Sequence, residues 1–195
     1  MEEKELEIAE EWLTLEKYHF KIMTIATVLA DENRAYRGKL SELCEQLNIQ
    51  NSSANIAKIK SSLQLLSEQN YIKLIVDHDI YTISLAKSIE KSKNIKRIKK
   101  AWYNLIRESQ KTDSWVNTFK VFLILIELKN TEICTYAEIG KRIGISKGTV
   151  SNCIKVLKTI DFKDFIFDIQ VQKEQVVPNE FRTQGTRFNQ MIIFE

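Results

Sequence analysis

Few residues of this chain have types and spacings that could do covalent or metal chemistry. The three cysteines, Cys44, Cys134 and Cys153, are odd in number and form no C-x-x-C pair. That argues against a disulfide framework and against a cysteine-based zinc site. There are two histidines, His19 and His78, and no H-E-x-x-H, G-x-S-x-G, P-loop or G-x-G-x-x-G. Asp77-His78-Asp79 offers two close carboxylates, but between alternating apolar residues it reads as a hairpin turn rather than a metal site. His19 and Cys44 read as packing residues. The expectation is a protein that is not an enzyme, uses no cofactor or metal, and resides in a reducing cytoplasm.

What remains is the chemistry of positive charge. The formal net charge of +3 over 195 residues is a cancellation. Residues 1–31 sum to −5, 87–111 to +7 and 141–163 to +5, with the other segments neutral or mildly acidic. The first basic block carries Lys87, Lys91, Lys93, Lys96, Arg97, Lys99, Lys100, Arg107 and Lys111 against Glu90 and Glu108. Such segregation is the electrostatic footprint of a polyanion binder, although a lysine-rich connector alone would also produce it. No membrane association is expected. The longest aliphatic-aromatic run, Val121 to Ile126, is far short of the ~20 residues of a span. Six glutamates within residues 2–11 stand where a secretory signal would be basic.

Five glycines and one proline leave little material for tight turns, so helix should dominate. Residues 15–30 read as a helix capped by Thr14, with Leu15, Phe20, Met23, Ile25, Val28 and Leu29 on its apolar face. A short segment at Tyr36–Lys39 follows, then a helix over 40–49 with Leu40, Leu43 and Leu47 inward. A second helix runs from Ser53 to Gln69 on Ile56, Ile59, Leu63 and Leu66. Asn48 and Asn70 occupy helix ends where a left-handed residue is wanted. Period two then sets in, with Ile72, Leu74 and Val76 before the turn and Tyr81, Ile83 and Leu85 after it.

The second half repeats this order about a hundred residues later. Ser114 or Asp113 opens a helix through Leu128, in which Trp115…Phe119-Lys120 echoes Trp12…Phe20-Lys21. Thr135-Tyr136-Ala137-Glu138 has the form of a capping box. Gly144 stops that helix, Ile145 plugs the core, Ser146 caps, and Lys147–Thr159 forms the next helix on Val150, Ile154 and Leu157. Phe165, Phe167, Ile169 and Val171 alternate as a strand, with Phe188–Phe194 as its partner and a polar excursion at 172–187. Between the halves, Ile95, Ile98, Trp102, Leu105 and Ile106 predict an amphipathic helix over 94–109, with Trp102 as core.

AEIGKRIGISKGTVSNCIKVLKTI (137–160) resembles a helix-turn-helix of the winged-helix superfamily, and LSELCEQLNI…IKSSLQLLSEQNYIKLIV…YTISL (40–85) resembles it again. The first copy departs by about five extra residues between Ile49 and Leu66, compared with Ile145 to Leu157. The resemblance implies a mainly α fold with small β-hairpin wings (α+β), in which two winged helix-turn-helix units form an internal pseudo-dimer. Its domains would be an N-terminal winged helix at 1–90, a basic linker helix at 91–111 and a C-terminal winged helix at 112–195. Tandem winged helices in a chain of this composition are also similar to proteins of Gram-positive mobile elements. These include conjugative transfer regulators of the TraN type, two-winged-helix replication initiators and phage replisome organisers.

In a helix-turn-helix the second helix enters the major groove. On a wheel of about 100° per residue, Gly148, Asn152, Lys155 and Thr159 fall opposite Val150, Ile154 and Leu157, with Ser151 beside them. Lys147 and Thr149 stand in the first turn, where Gly148 would let the helix N-terminus approach a phosphate. Asn pairs bidentately with adenine, while Ser, Thr and Lys take bases or phosphates. In the first copy the outward face carries Ala54, Ala57, Lys58, Ser61 and Leu65, so Lys58 and Ser61 are its candidate contacts. Lys96, Arg97 and Lys100 would follow a phosphate backbone, and Arg182 and Arg187 would reach backbone or minor groove beside the second wing. The expected partner is double-stranded DNA, in a regulator or accessory factor of transfer, replication or transcription. The alternative is an adaptor whose N-terminal domain binds another protein, with DNA contacted by the C-terminal winged helix alone.

Overall fold

A computed structural model describes residues 4–128, 134–162, 169–175 and 188–194. The chain divides into two compact units, Met1–Lys100 and Ala101–Glu195. Both are mixed α and β, built from short helices and small sheets. No helix among the described residues is long and apolar enough to cross a membrane.

In the first unit, β1 (Glu5–Ala9) leads through a 3-10 turn (Glu10–Thr14) into α1 (Lys17–Leu29). Then come β2 (Ala35–Lys39), α2 (Leu40–Gln46), α3 (Ser53–Glu68) and the hairpin β3 (Lys73–Asp77) and β4 (Ile80–Ser84). The antiparallel sheet has the order β2-β4-β3. α4 (Ala86–Lys91) and β5 (Ile95–Lys99) complete the unit. Asn48 and Asn70 do turn left-handed, at φ 54° and 62°, as their helix-end positions predict. Thr14 does not cap α1. Its hydroxyl donates to the Glu11 carbonyl inside the 3-10 turn, and the helix starts after Glu16 without a side-chain cap.

The amphipathic helix expected over 94–109 is not formed as one piece. Residues 95–99 are a strand paired antiparallel with β1, and the helix α5 begins only at Lys100 and ends at Glu108. The register sets Leu6 against Ile98 and Ile8 against Lys96 on the buried face, and Glu7 against Arg97 and Glu5 against Lys99 on the other. The acidic N-terminus therefore faces the basic run across a ladder. A partner so distant in sequence, and a lysine on the apolar face, together hid the period-two pattern.

In the second unit, α6 (Trp115–Leu125), β6 (Cys134–Thr135), α7 (Tyr136–Ile143) and α8 (Lys147–Leu157) precede the hairpin β7 (Ile169–Gln175) and β8 (Phe188–Phe194). Its sheet has the order β6-β8-β7. β7 pairs with β8 as expected, while Phe165 and Phe167 lie outside the described residues. α6 stops at Leu125 rather than Leu128, and Ser114 stands at its N-cap without a side-chain cap bond. Trp102 packs edge-on against Phe122 and Phe162, which stack 5.3 Å apart. Tyr103 meets Trp115 and Phe119 edge-on. Each such aromatic pair adds about 1 kcal/mol to simple burial.

The echo between the halves includes two buried lysines. Phe20 and Phe119 are fully buried, and the following Lys21 and Lys120 are 3% and 2% exposed. The Lys21 ammonium donates to the Leu47 carbonyl at 2.5 Å, tying α1 to the end of α2. Burial pulls the Lys120 ammonium down to about 8. A folded value below the unfolded one means that the folded chain binds fewer protons between about pH 8 and 10.5, so this group's contribution to stability rises with pH across that window. Between pH 7 and pH 10, urea unfolding should show wild type gaining about 2 kcal/mol relative to Lys120→Met. The comparison cancels the buried tyrosines and cysteines, whose upward shifts act in the opposite direction. Parallel pH profiles for the two proteins would exclude Lys120 as the source.

Candidate nucleic-acid interface

The best-formed site is assembled around the turn between α7 and α8. Thr135 accepts from the Glu138 amide at 3.2 Å, and the Glu138 carboxylate accepts from the Thr135 amide at 2.7 Å. These two bonds close the capping box, and the Thr135 amide, with the Thr135 hydroxyl beside it, holds the Glu138 carboxyl below its ordinary value. α7 buries Tyr136, Ile139 and Ile143 and ends at Gly144, whose φ of 71° is left-handed. The Gly140 carbonyl then accepts from both the Gly144 and Ile145 amides, folding the chain back on the helix. A Cβ on Gly140 would collide with the Ile145 carbonyl oxygen, so the turn can close this tightly only over glycine.

Ser146 caps α8 by accepting from the Thr149 amide at 3.1 Å. Val150, Cys153, Ile154 and Leu157 are buried, so the wheel drawn from sequence is correct and gains Cys153. Lys147, Gly148, Asn152, Lys155 and Thr159 are exposed, and Ser151 is half-buried beside them. Thr149 and Thr159 are already engaged locally. The Thr149 hydroxyl lies 2.9 Å from Ser146 Oγ, and Thr159, beyond the helix end, donates to the Val156 carbonyl. Lys158 is exposed on the same helix terminus and was missed, because its wheel position lies at the border of the apolar face. The face therefore offers hydrogen-bonding Asn and Ser among lysines, with no acidic side chain from Lys147 to Ile160.

The first unit contains a related turn, in which the Asn48 amide bonds to the Glu45 carbonyl where that of Gly144 bonds to Gly140. Asn48 takes the left-handed place of Gly144, and the Ile49 amide donates to the Cys44 carbonyl as Ile145 does to Gly140. Ser52 caps α3 through the Asn55 amide. α3 has 16 residues and α8 has 11, and Ile49 stands three residues before its cap where Ile145 stands one. Lys58 and Ser61 are exposed, with the Lys58 ammonium 4.2 Å from the centre of the Tyr18 ring. Leu65 is 38% exposed, as its wheel position implies. A cleft of about 250 Å³ beside α3 is lined by Lys39, Ser41, Lys60, His78 and Asp79. Its lysines were not singled out from sequence, since β2, α3 and the hairpin turn converge only in the fold. Lys39 pairs with Asp79 at 3.0 Å and holds that carboxyl below its ordinary value.

The basic run does not form a lysine-lined helix face. Lys96 is 4% exposed, on the buried side of β5, so it cannot lie along a phosphate backbone in this fold. Arg97 is exposed but bonded to Glu7 at 3.1 Å, and Glu7 also holds Arg34 at 2.7 Å. Lys100 is half-buried, and its amide donates to the Lys4 carbonyl. Arg182 and Arg187 lie outside the described residues.

A search of curated proteins finds no match to the chain. The family described as winged helix-turn-helix DNA-binding matches residues 120–159, which run from Lys120 in α6 through α7, the Gly144 turn and α8. The chain thus carries a winged helix-turn-helix DNA-binding domain over those residues, built on the capping box, the left-handed glycine and the exposed α8 face.

Proposed function

We propose that the chain is a non-enzymatic, cytoplasmic, double-stranded DNA-binding protein with two winged-helix units, α8 being its main reader. The single observation that carries DNA reading is the exposed Asn152–Lys155 face behind an intact helix-turn-helix at the family match. A winged helix in the first unit is supported by a related turn, with Asn48 for Gly144 and Cys44 for Gly140, and by the shared sheet order. A role as regulator or accessory factor of transfer, replication or transcription on a mobile element rests on the resemblance of the two motif segments. It is tested by footprinting across the protein's own locus.

A second reading has a specific observation in its favour. The outward face of α3 carries Ala54, Ala57 and the exposed Leu65, and its Lys58 already sits over Tyr18, a surface better suited to a protein than to phosphates. In that reading only the second unit holds DNA. Fluorescence anisotropy of Lys58→Ala/Ser61→Ala on duplex DNA separates the two. The two-reader model expects roughly a tenfold loss and a salt dependence shallower by about one unit. Unchanged affinity would sink it and support the adaptor.

A further inference from the structure

We infer that the first unit self-associates through the free edge of β3, so that two copies of the chain form a two-fold dimer with one continuous sheet. This goes beyond the proposed function and does not depend on DNA. Among the described residues β3 pairs only with β4, which leaves its other edge without a ladder partner. The strand is short and carries charges only at its ends, Lys73 and Asp77. It has no proline, no bulge interrupts its register with β4, and Ile75 and Val76 are each 50% exposed. These two residues point to opposite faces of the sheet. The face of Leu74 and Val76 is only partly covered, with Leu74 half-buried, and an occupant must bring a backbone edge as well as apolar side chains.

The sequence of β3, Lys73-Leu74-Ile75-Val76-Asp77, selects a second copy of itself as that occupant. An antiparallel pairing centred on Ile75 sets Ile75 against Ile75, Leu74 against Val76 and Lys73 against Asp77. The last pair occurs twice by symmetry. Opposite charges thus close both ends of an apolar seam, and every residue meets a suitable partner, as an isologous interface requires. The backbone phase agrees. Asp77 and Ile80 close a two-residue turn, so 73, 75 and 77 aim their amides and carbonyls at β4, while 74 and 76 aim theirs at the free edge. The Leu74–Val76 pairs would then be the hydrogen-bonded ones, and Ile75–Ile75 the close, non-hydrogen-bonded pair at the axis. A five-residue seam is smaller than a standard interface, so association in the micromolar range is expected. The resulting sheet order would be β2-β4-β3-β3-β4-β2.

Sedimentation equilibrium of the full chain tests this, with thermal unfolding to verify that each variant folds. Wild type should show a monomer–dimer equilibrium. Lys73→Asp and Asp77→Lys should each weaken it about tenfold or more by opposing like charges, and the double variant should restore it. Because the axis pairs residue 75 with itself, Ile75→Cys should cross-link to a disulfide dimer on mild oxidation, whereas Lys73→Cys, about four residues from its own copy, should not. A monomer at all concentrations, single charge variants that dimerise like wild type, or equal cross-linking of the two cysteine variants would each overturn the inference.

Discussion

Gly140→Ala should cost the second unit about 2–3 kcal/mol in urea unfolding, although alanine in a helix interior normally gains about 1 kcal/mol over glycine. The sign reverses because the added Cβ meets the Ile145 carbonyl oxygen, a backbone atom that no rotamer can move aside. That backbone belongs to the turn whose Ile145 and Gly144 amides both bond to Gly140. Relief requires shifting Ile145 and Ser146, and with them the start of α8, so duplex binding should fall along with stability. Gly148→Ala is the matched control. Its Cβ would come no closer than 3.8 Å to Ser146 Oγ, so stability should hold or rise. If the α8 N-terminus approaches a phosphate, affinity for DNA should nonetheless drop. Equal stability of Gly140→Ala and wild type would show that the turn relaxes at no cost, and that close approach is not what demands glycine there.

Asn152→Ala combined with Lys155→Ala should weaken binding to the preferred duplex on the order of a hundredfold. The two substitutions act differently. An Asn bidentate to adenine contributes about 1–3 kcal/mol of discrimination, so Asn152→Ala should flatten sequence preference and leave the salt dependence intact. Lys155→Ala should lower affinity on all duplexes and reduce the salt slope by about one. The preferred duplex is obtained by selection from a random library, and anisotropy titrations at several salt concentrations read both effects. Were wild type and the double variant to bind selected and random duplexes alike, α8 would not be a reader of sequence.

Local signals were the ones legible in sequence. The capping box at Thr135–Glu138, the left-handed Asn48, Asn70 and Gly144, and the exposed arc of α8 each depend on residues within one or two turns of each other. Non-local pairing was not legible. Lys96 looked like a surface charge because the ladder that buries it lies near the other end of the unit. Lys39 and Asp79 looked unrelated for the same reason, and so did the charges of Glu7 and Arg97. Part of the charge segregation that suggested a polyanion is therefore answered within the protein. On α8 and its turn, by contrast, no acidic side chain stands among the lysines from Lys147 to Ile160.

The β1–β5 ladder also constrains when the first unit can fold. It joins residues 5–9 to residues 95–99, so the first strand made waits for the last, and every other element of the unit lies between them. During synthesis α1, α2 and α3 emerge long before Ile95 does, with Leu6 and Ile8 still lacking their opposite strand. Closing so long a loop is slow compared with local helix formation. The unit should therefore become resistant to protease late and in one step, after β5 has cleared the ribosome, rather than gradually from its N-terminus.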